Sequence, residues 1–118
     1  MSLRRFSTAL PLLLLAAAGF TLPEEFPAAA PARVVVQNDT YSSLLISIMD
    51  EAGRESSLGQ APPEFSNTLL IREPLPEGDV RFLARLVGET DVLYRSAPVR
   101  LRPGARLVWR LPENRLEQ

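Results

Sequence analysis

The sequence predicts a small all-β sandwich, and three features predict it. Short apolar runs recur about every 8–12 residues from Arg33 onward, divided by Gly, Pro, Asn and Asp. Several of these runs alternate apolar and polar residues, the period of a strand with one buried face. Beyond the first 32 residues, no stretch sustains a helical period.

The chain begins differently. Arg4 and Arg5 precede an apolar stretch from Ala9 to Phe20, centred on Leu12–Leu15 and Ala16–Ala18. A basic head followed by a short apolar run is the pattern of a secretory signal peptide helix. Pro11, Pro23, Glu24 and Glu25 cut the run short of the roughly 20 apolar residues that a membrane-spanning helix needs. Small residues allow cleavage after Gly19 or after Ala32. The Ala/Pro-rich segment from Pro23 to Pro31 reads as a spacer. Residues 1–32 are therefore expected to be signal peptide and spacer, and the protein to be exported, periplasmic or extracellular. A membrane contact is expected only through an uncleaved signal segment.

Strands follow in order. Arg33–Asn38 carries Val34, Val35 and Val36, and Ser43–Met49 alternates around Leu44, Ile46 and Ile48. Asp50-Glu51-Ala52-Gly53 turns the chain into a weaker strand, Arg54–Gly59. Pro62 and Pro63 force a loop, because proline cannot donate to a ladder. Phe65–Ile71 places Phe65, Asn67, Leu69 and Ile71 on one face. After the turn Pro76–Asp79, Val80–Val87 points Val80, Phe82, Ala84 and Leu86 one way and Arg81, Leu83 and Arg85 the other. Gly88–Asp91 connects it to Val92–Leu101, broken or bulged near Pro98. Pro103-Gly104 makes a tight turn, and Ala105–Leu111 buries Leu107, Trp109 and Leu111. The expectation is a seven-stranded antiparallel β-sandwich over 33–112, immunoglobulin-like or transthyretin-like, with 113–118 as a polar tail.

Val34-x-Val36-x-Asn38, Leu58-Gly59, Arg81-Phe82-Leu83-Ala84, Ser96 and Pro103-Gly104 together resemble short exported bacterial β-sandwich proteins of uncharacterised function. That group has Asp after the Pro-Gly, where this chain has Ala105. The resemblance implies a sandwich fold and export, and carries no catalytic or binding residues with it.

Composition then narrows the chemistry. The 118 residues contain no His and no Cys. This excludes Ser-His and Cys-His nucleophile pairs, zinc sites built on His or Cys, haem held by His, disulfides and a lipid-modified cysteine. All 13 basic residues are Arg, as a GC-rich bacterial coding sequence would favour. A net charge of −1 gives no case for nucleic acid. The remaining acid/base candidates are turn carboxylates: Asp50, Glu51 and Glu55, then Glu77, Asp79, Glu89 and Asp91. Turn capping explains them without catalysis. No enzyme activity and no cofactor are expected. Asn38-Asp39-Thr40 matches a glycosylation sequon and equally an Asn-Asp turn.

Charge is uneven along the chain. Residues 33–79 carry net −5 and residues 80–111 net +5. Alternation predicts Arg100 and Arg102 on the outer face of one strand and Arg106 and Arg110 on its hairpin partner, with Arg81 and Arg85 extending the patch. Four guanidinium groups so placed would repel unless an anion lay among them. These four arginines are the candidate partner-binding residues. The expected function is an interaction or structural module of the cell envelope, docking an envelope protein or anionic surface ligand. The alternative is a module for an anionic polysaccharide or Ca²⁺. Exposed edge strands could also join copies of the chain.

Overall fold

The computed structural model describes residues 30–118, so the expected signal helix and most of the spacer lie outside the described residues. Those residues form an all-β fold of two sheets. Its strands are β1 (Arg33–Asn38), β2 (Leu44–Met49), β3 (Glu55–Ala61), β4 (Phe65–Leu70), β5 (Asp79–Leu86), β6 (Tyr94–Arg95), β7 (Val99–Arg100), β8 (Arg106–Leu111) and β9 (Arg115–Glu117). The break expected near Pro98 separates β6 from β7. Residues expected as a polar tail instead supply β9, paired with β8 through Trp109 and Leu116.

One sheet runs β4-β1-β8-β9 and the other β3-β2-β5-β6, with β7 also paired to β5. Alternate residues of both sheets meet in one core. Val34 and Val36 of β1 are fully buried, as are Leu44 and Ile46 of β2, and Phe82 and Trp109 stack tilted with ring centroids 6.1 Å apart. At that spacing the rings contribute beyond their area alone.

Two expectations change. The sheets are not wholly antiparallel: β1 runs parallel to β8, from Arg33↔Arg106 to Asn38↔Leu111. In that register Val34 and Val36 lie beside Leu107 and Trp109, so the apolar faces match. The Pro103-Gly104 turn forms, with Ala105 N–H donating to Arg102 C=O at 3.0 Å, but it joins strands in different sheets rather than a hairpin. Alternation along a strand fixes which residues share a face and is silent about which strand lies alongside.

Three polar side chains hold the connections, two of them buried and Asn114 at the surface. Asn38 is fully buried. Its amide donates to the carbonyls of Ser42 at 2.8 Å, Ala61 at 2.9 Å and Pro62 at 3.1 Å, and its Oδ1 accepts from Thr40 N–H and Thr40 hydroxyl. The sequon reading is thereby corrected, because a side chain so enclosed has no room for a glycan. Ser96 Oγ accepts from Phe82 N–H at 2.8 Å and donates to Ala97 C=O, tying the β6–β7 break to β5. Trp109 Nε1–H donates to Asn114 Oδ1, and Asn114 donates to Arg95 C=O, linking the sheets at their rim.

Asn38→Asp preserves shape and places an oxygen against three carbonyls. We expect a loss on the order of 3 kcal/mol or more, read as a lower urea midpoint at unchanged slope. A change under about 0.5 kcal/mol would refute the role given to this amide.

Candidate functional site

The turn carboxylates do not gather into a catalytic group. An open cleft of about 830 Å³ lies between the β2–β3 turn and the β4–β5 loop, and Asp50, Glu51 and Glu77 line it. Asp50 accepts from the backbone N–H groups of Ala52 at 3.0 Å and Arg54 at 2.9 Å, and pairs with Arg54 Nε at 3.0 Å. The Arg54 N–H above all holds its carboxyl below the ordinary range. Glu51 accepts from Asp79 N–H at 2.9 Å and packs so closely on Gly78 that a Cβ there would come within 2.6 Å of the carboxylate. Gly78 also has φ +80°, so this contact requires glycine twice over. Turn capping accounts for both acids. Among the described residues no three acid groups converge as a metal ion would require.

Glu55 turns away from that cleft. It forms a two-pronged ion pair with Arg85 on the outer face of the second sheet, with Arg85 Nη2 to Glu55 Oε1 at 3.1 Å. Ser47 hydroxyl donates to Glu55 Oε2 at 2.7 Å, and Arg85 Nε–H donates to Thr90 C=O at 2.9 Å. The Arg85 hydrogen bond, then that of Ser47, lowers the Glu55 pKa, and the same pair raises that of Arg85. Arg81 donates to Ser96 C=O at 2.9 Å. Between these two arginines on the same face, Leu83 is 1% exposed although it points away from the core. In the sheet it lies between Ser47 of β2 and Arg95 of β6.

The four candidate arginines are not one stripe. Arg100 sits on β7 in the second sheet, 3.8 Å from the Asp79 carboxylate. Arg102 is exposed in the loop before the Pro-Gly turn. Arg106 and Arg110 lie on the outer face of the first sheet, because β8 joined β1 rather than β7. Arg110 donates to Gln37 Oε1 at 2.6 Å and stands 3.6 Å from Glu117. The arginine next to Arg106 is one the sequence could not supply: Arg33, directly opposite in the parallel register. Neither has an ion-pair partner among the described residues. Like charges side by side favour a bound anion.

Aromatic placement also differs. Phe65, which shares a face with the buried Leu69 and Ile71, is nonetheless 65% exposed, and Tyr41 is 89% exposed. Glu64 N–H donates to Thr40 C=O at 3.1 Å, hooking together the loops that carry them. Tyr94 packs against the core.

Comparison with known proteins finds no matching family model, curated protein or solved structure. The class of protein is thus defined by fold alone: a two-sheet, all-β domain with an arginine pair on one outer face.

The Glu55 shift has a definite sign. The folded pKa lies below the ordinary 4.5, so this stabilisation is fully present above that value. It is lost as pH falls through the lowered folded value, because the unfolded chain takes up the proton first. Glu55→Gln should cost about 1 kcal/mol near neutral pH, a modest figure because the pair is partly solvated. Urea unfolding should show wild type and variant converging below pH 4.5. A gap that persists undiminished to the most acid pH reached would refute the assignment.

Proposed function

We propose that this protein is a non-enzymatic, exported β-sandwich that works through its surface, as an interaction or structural module of the bacterial cell envelope. The observation carrying this reading is the Arg33–Arg106 pair on the outer face of the first sheet. Two guanidinium groups at neighbouring register positions, with Arg110 further along the same face of β8, suit a polyanionic surface. An acidic envelope protein is the favoured partner, and an anionic polysaccharide would meet the same groups.

Two of the turn carboxylates support a non-catalytic reading. General acid catalysis requires a carboxyl whose pKa is raised towards neutrality. Asp50 and Glu55 are both displaced the other way. Export rests on the basic head and apolar run of residues 1–20.

Crosslinking in cells producing the full chain, followed by affinity capture, tests the face. Replacing Arg33, Arg106 and Arg110 with Ser should abolish a salt-sensitive adduct, while replacing Arg100 and Arg102 should leave it. Equal loss in both sets would make the interaction one of net charge, and retention in both would overturn the proposal.

A further inference from the structure

The two sheets have several open edges, and all but one are defended. β3 carries a register shift opposite Ile46/Ser47 and the Glu55 carboxylate. β9 is three residues long with Arg115 and Glu117. β6 and β7 are two residues each, with Pro98 between them. Charge, bulges, brevity and proline are the devices by which proteins prevent edge-to-edge pairing. β4 has none of them. Phe65-Ser66-Asn67-Thr68-Leu69-Leu70 is uncharged, contains no Gly or Pro, and runs in unbroken register against β1.

The open side of β4 can be read from its closed side. Ile71 N–H donates to Ala32 C=O at 2.9 Å, continuing the β1–β4 ladder. In an antiparallel pair, hydrogen bonding alternates. Phe65, Asn67 and Leu69 therefore bond to β1, and Ser66, Thr68 and Leu70 turn their N–H and C=O groups outward. All three outward residues are exposed, and Leu70 and Phe65 remain 59% and 65% accessible.

We propose that β4 pairs antiparallel with β4 of a second copy about a two-fold axis through Thr68. The chain is self-complementary in that register. Thr68 faces its own counterpart, and Ser66 faces Leu70, so every outward group meets another outward group. Phe65 comes opposite Ile71 of the second copy, which is 3% exposed, so the ring lies along the rim of that copy's core. Four residues before Thr68 stands Glu64, and four after it stands Arg72. The same axis brings the turn at Glu64 (φ 59°) of each copy alongside Arg72 of the other, just beyond the paired residues. Both are exposed, and neither has an ion-pair partner among the described residues. An unrelated peptide would gain the backbone ladder; only a second copy supplies both charge pairs. The result is an isologous dimer with one continuous eight-stranded sheet.

The absence of native cysteine makes the test direct. Thr68→Cys, in the full chain produced in cells, puts two thiols about 5.5 Å apart between Cα atoms, within disulfide range. With a mild added oxidant it should give a covalent dimer. Ser66→Cys alone and Leu70→Cys alone should give little, whereas co-production of those two should link one to the other. Adding Glu64→Arg to Thr68→Cys should reduce the linked fraction roughly ten-fold. Adding Arg72→Glu as well should restore it. Thr68→Pro should prevent dimer formation, read by sedimentation, while keeping the fold, since it removes only an outward N–H; Trp109 fluorescence checks folding. Equal linking at all three positions, no linking of folded chains that carry Thr68→Cys, or an adduct with a different protein would each overturn the proposal. Arg33→Ser/Arg106→Ser should not change the link, so this inference and the anionic-face reading fail separately.

Discussion

The amide of Asn38 is the constraint on which the rest of the structure depends. It sits at the end of β1, and its carbonyl acceptors belong to the loop leading into β2 and to the crossing from β3 to β4. A single side chain thus fixes where the chain leaves one sheet, enters the other and returns. Its cost if unsatisfied would be that of a buried polar group stripped of water, which is why all of its hydrogen-bonding atoms are occupied. The crossing it holds delivers Phe65 to the surface and lays β4 along the rim of the first sheet. The surface that can meet another molecule is therefore set by a wholly internal contact.

The same logic extends to other polar side chains. No disulfide is possible, and the described part of the chain is small, where a core alone leaves little margin. Ser96 closes the ladder where Pro98 interrupts it, and Asn114 joins the Trp109 indole to the backbone of Arg95. Each polar group satisfies a backbone or ring donor that would otherwise be orphaned. Apolar residues gather the sheets; these few polar ones select a single arrangement of their connections.

Much of the fold was legible in the sequence because strand alternation is a local property. The faces of Val34/Val36, of Val80–Leu86 and of Leu107–Leu111 were readable from period two alone, and so was the interruption at Pro98. Partner choice was not, because it is decided by matching between distant segments. Nothing within Ala105–Leu111 says that Arg33–Asn38 will lie parallel beside it, so the Arg33–Arg106 neighbourhood had no sequence signal. Phe65 misled for a related reason: it shares a face with Leu69, but lies at the strand end where the sheet no longer covers it. Glu55 was grouped with Asp50 by proximity along the chain, whereas the pleat sends it to Arg85, thirty residues away. The terminal Arg-Leu-Glu looked like polar tail because a three-residue strand is too short to display a period.

The parallel pairing of β1 and β8 has a mechanical meaning. Load applied between Arg33 and Leu111 acts along the axis of both strands and in opposite directions across their six paired positions. Hydrogen bonds in that geometry are sheared together rather than opened one at a time, so rupture needs them to fail as a group. The antiparallel β8–β9 pair has only three positions, and its far end can be peeled in sequence. Tension would strip β9 first and leave the β1–β8 clasp bearing the force. The fold is thereby built with a weak outer seam and a strong inner one, an order of yielding that suits a domain anchored at one side and pulled from the other.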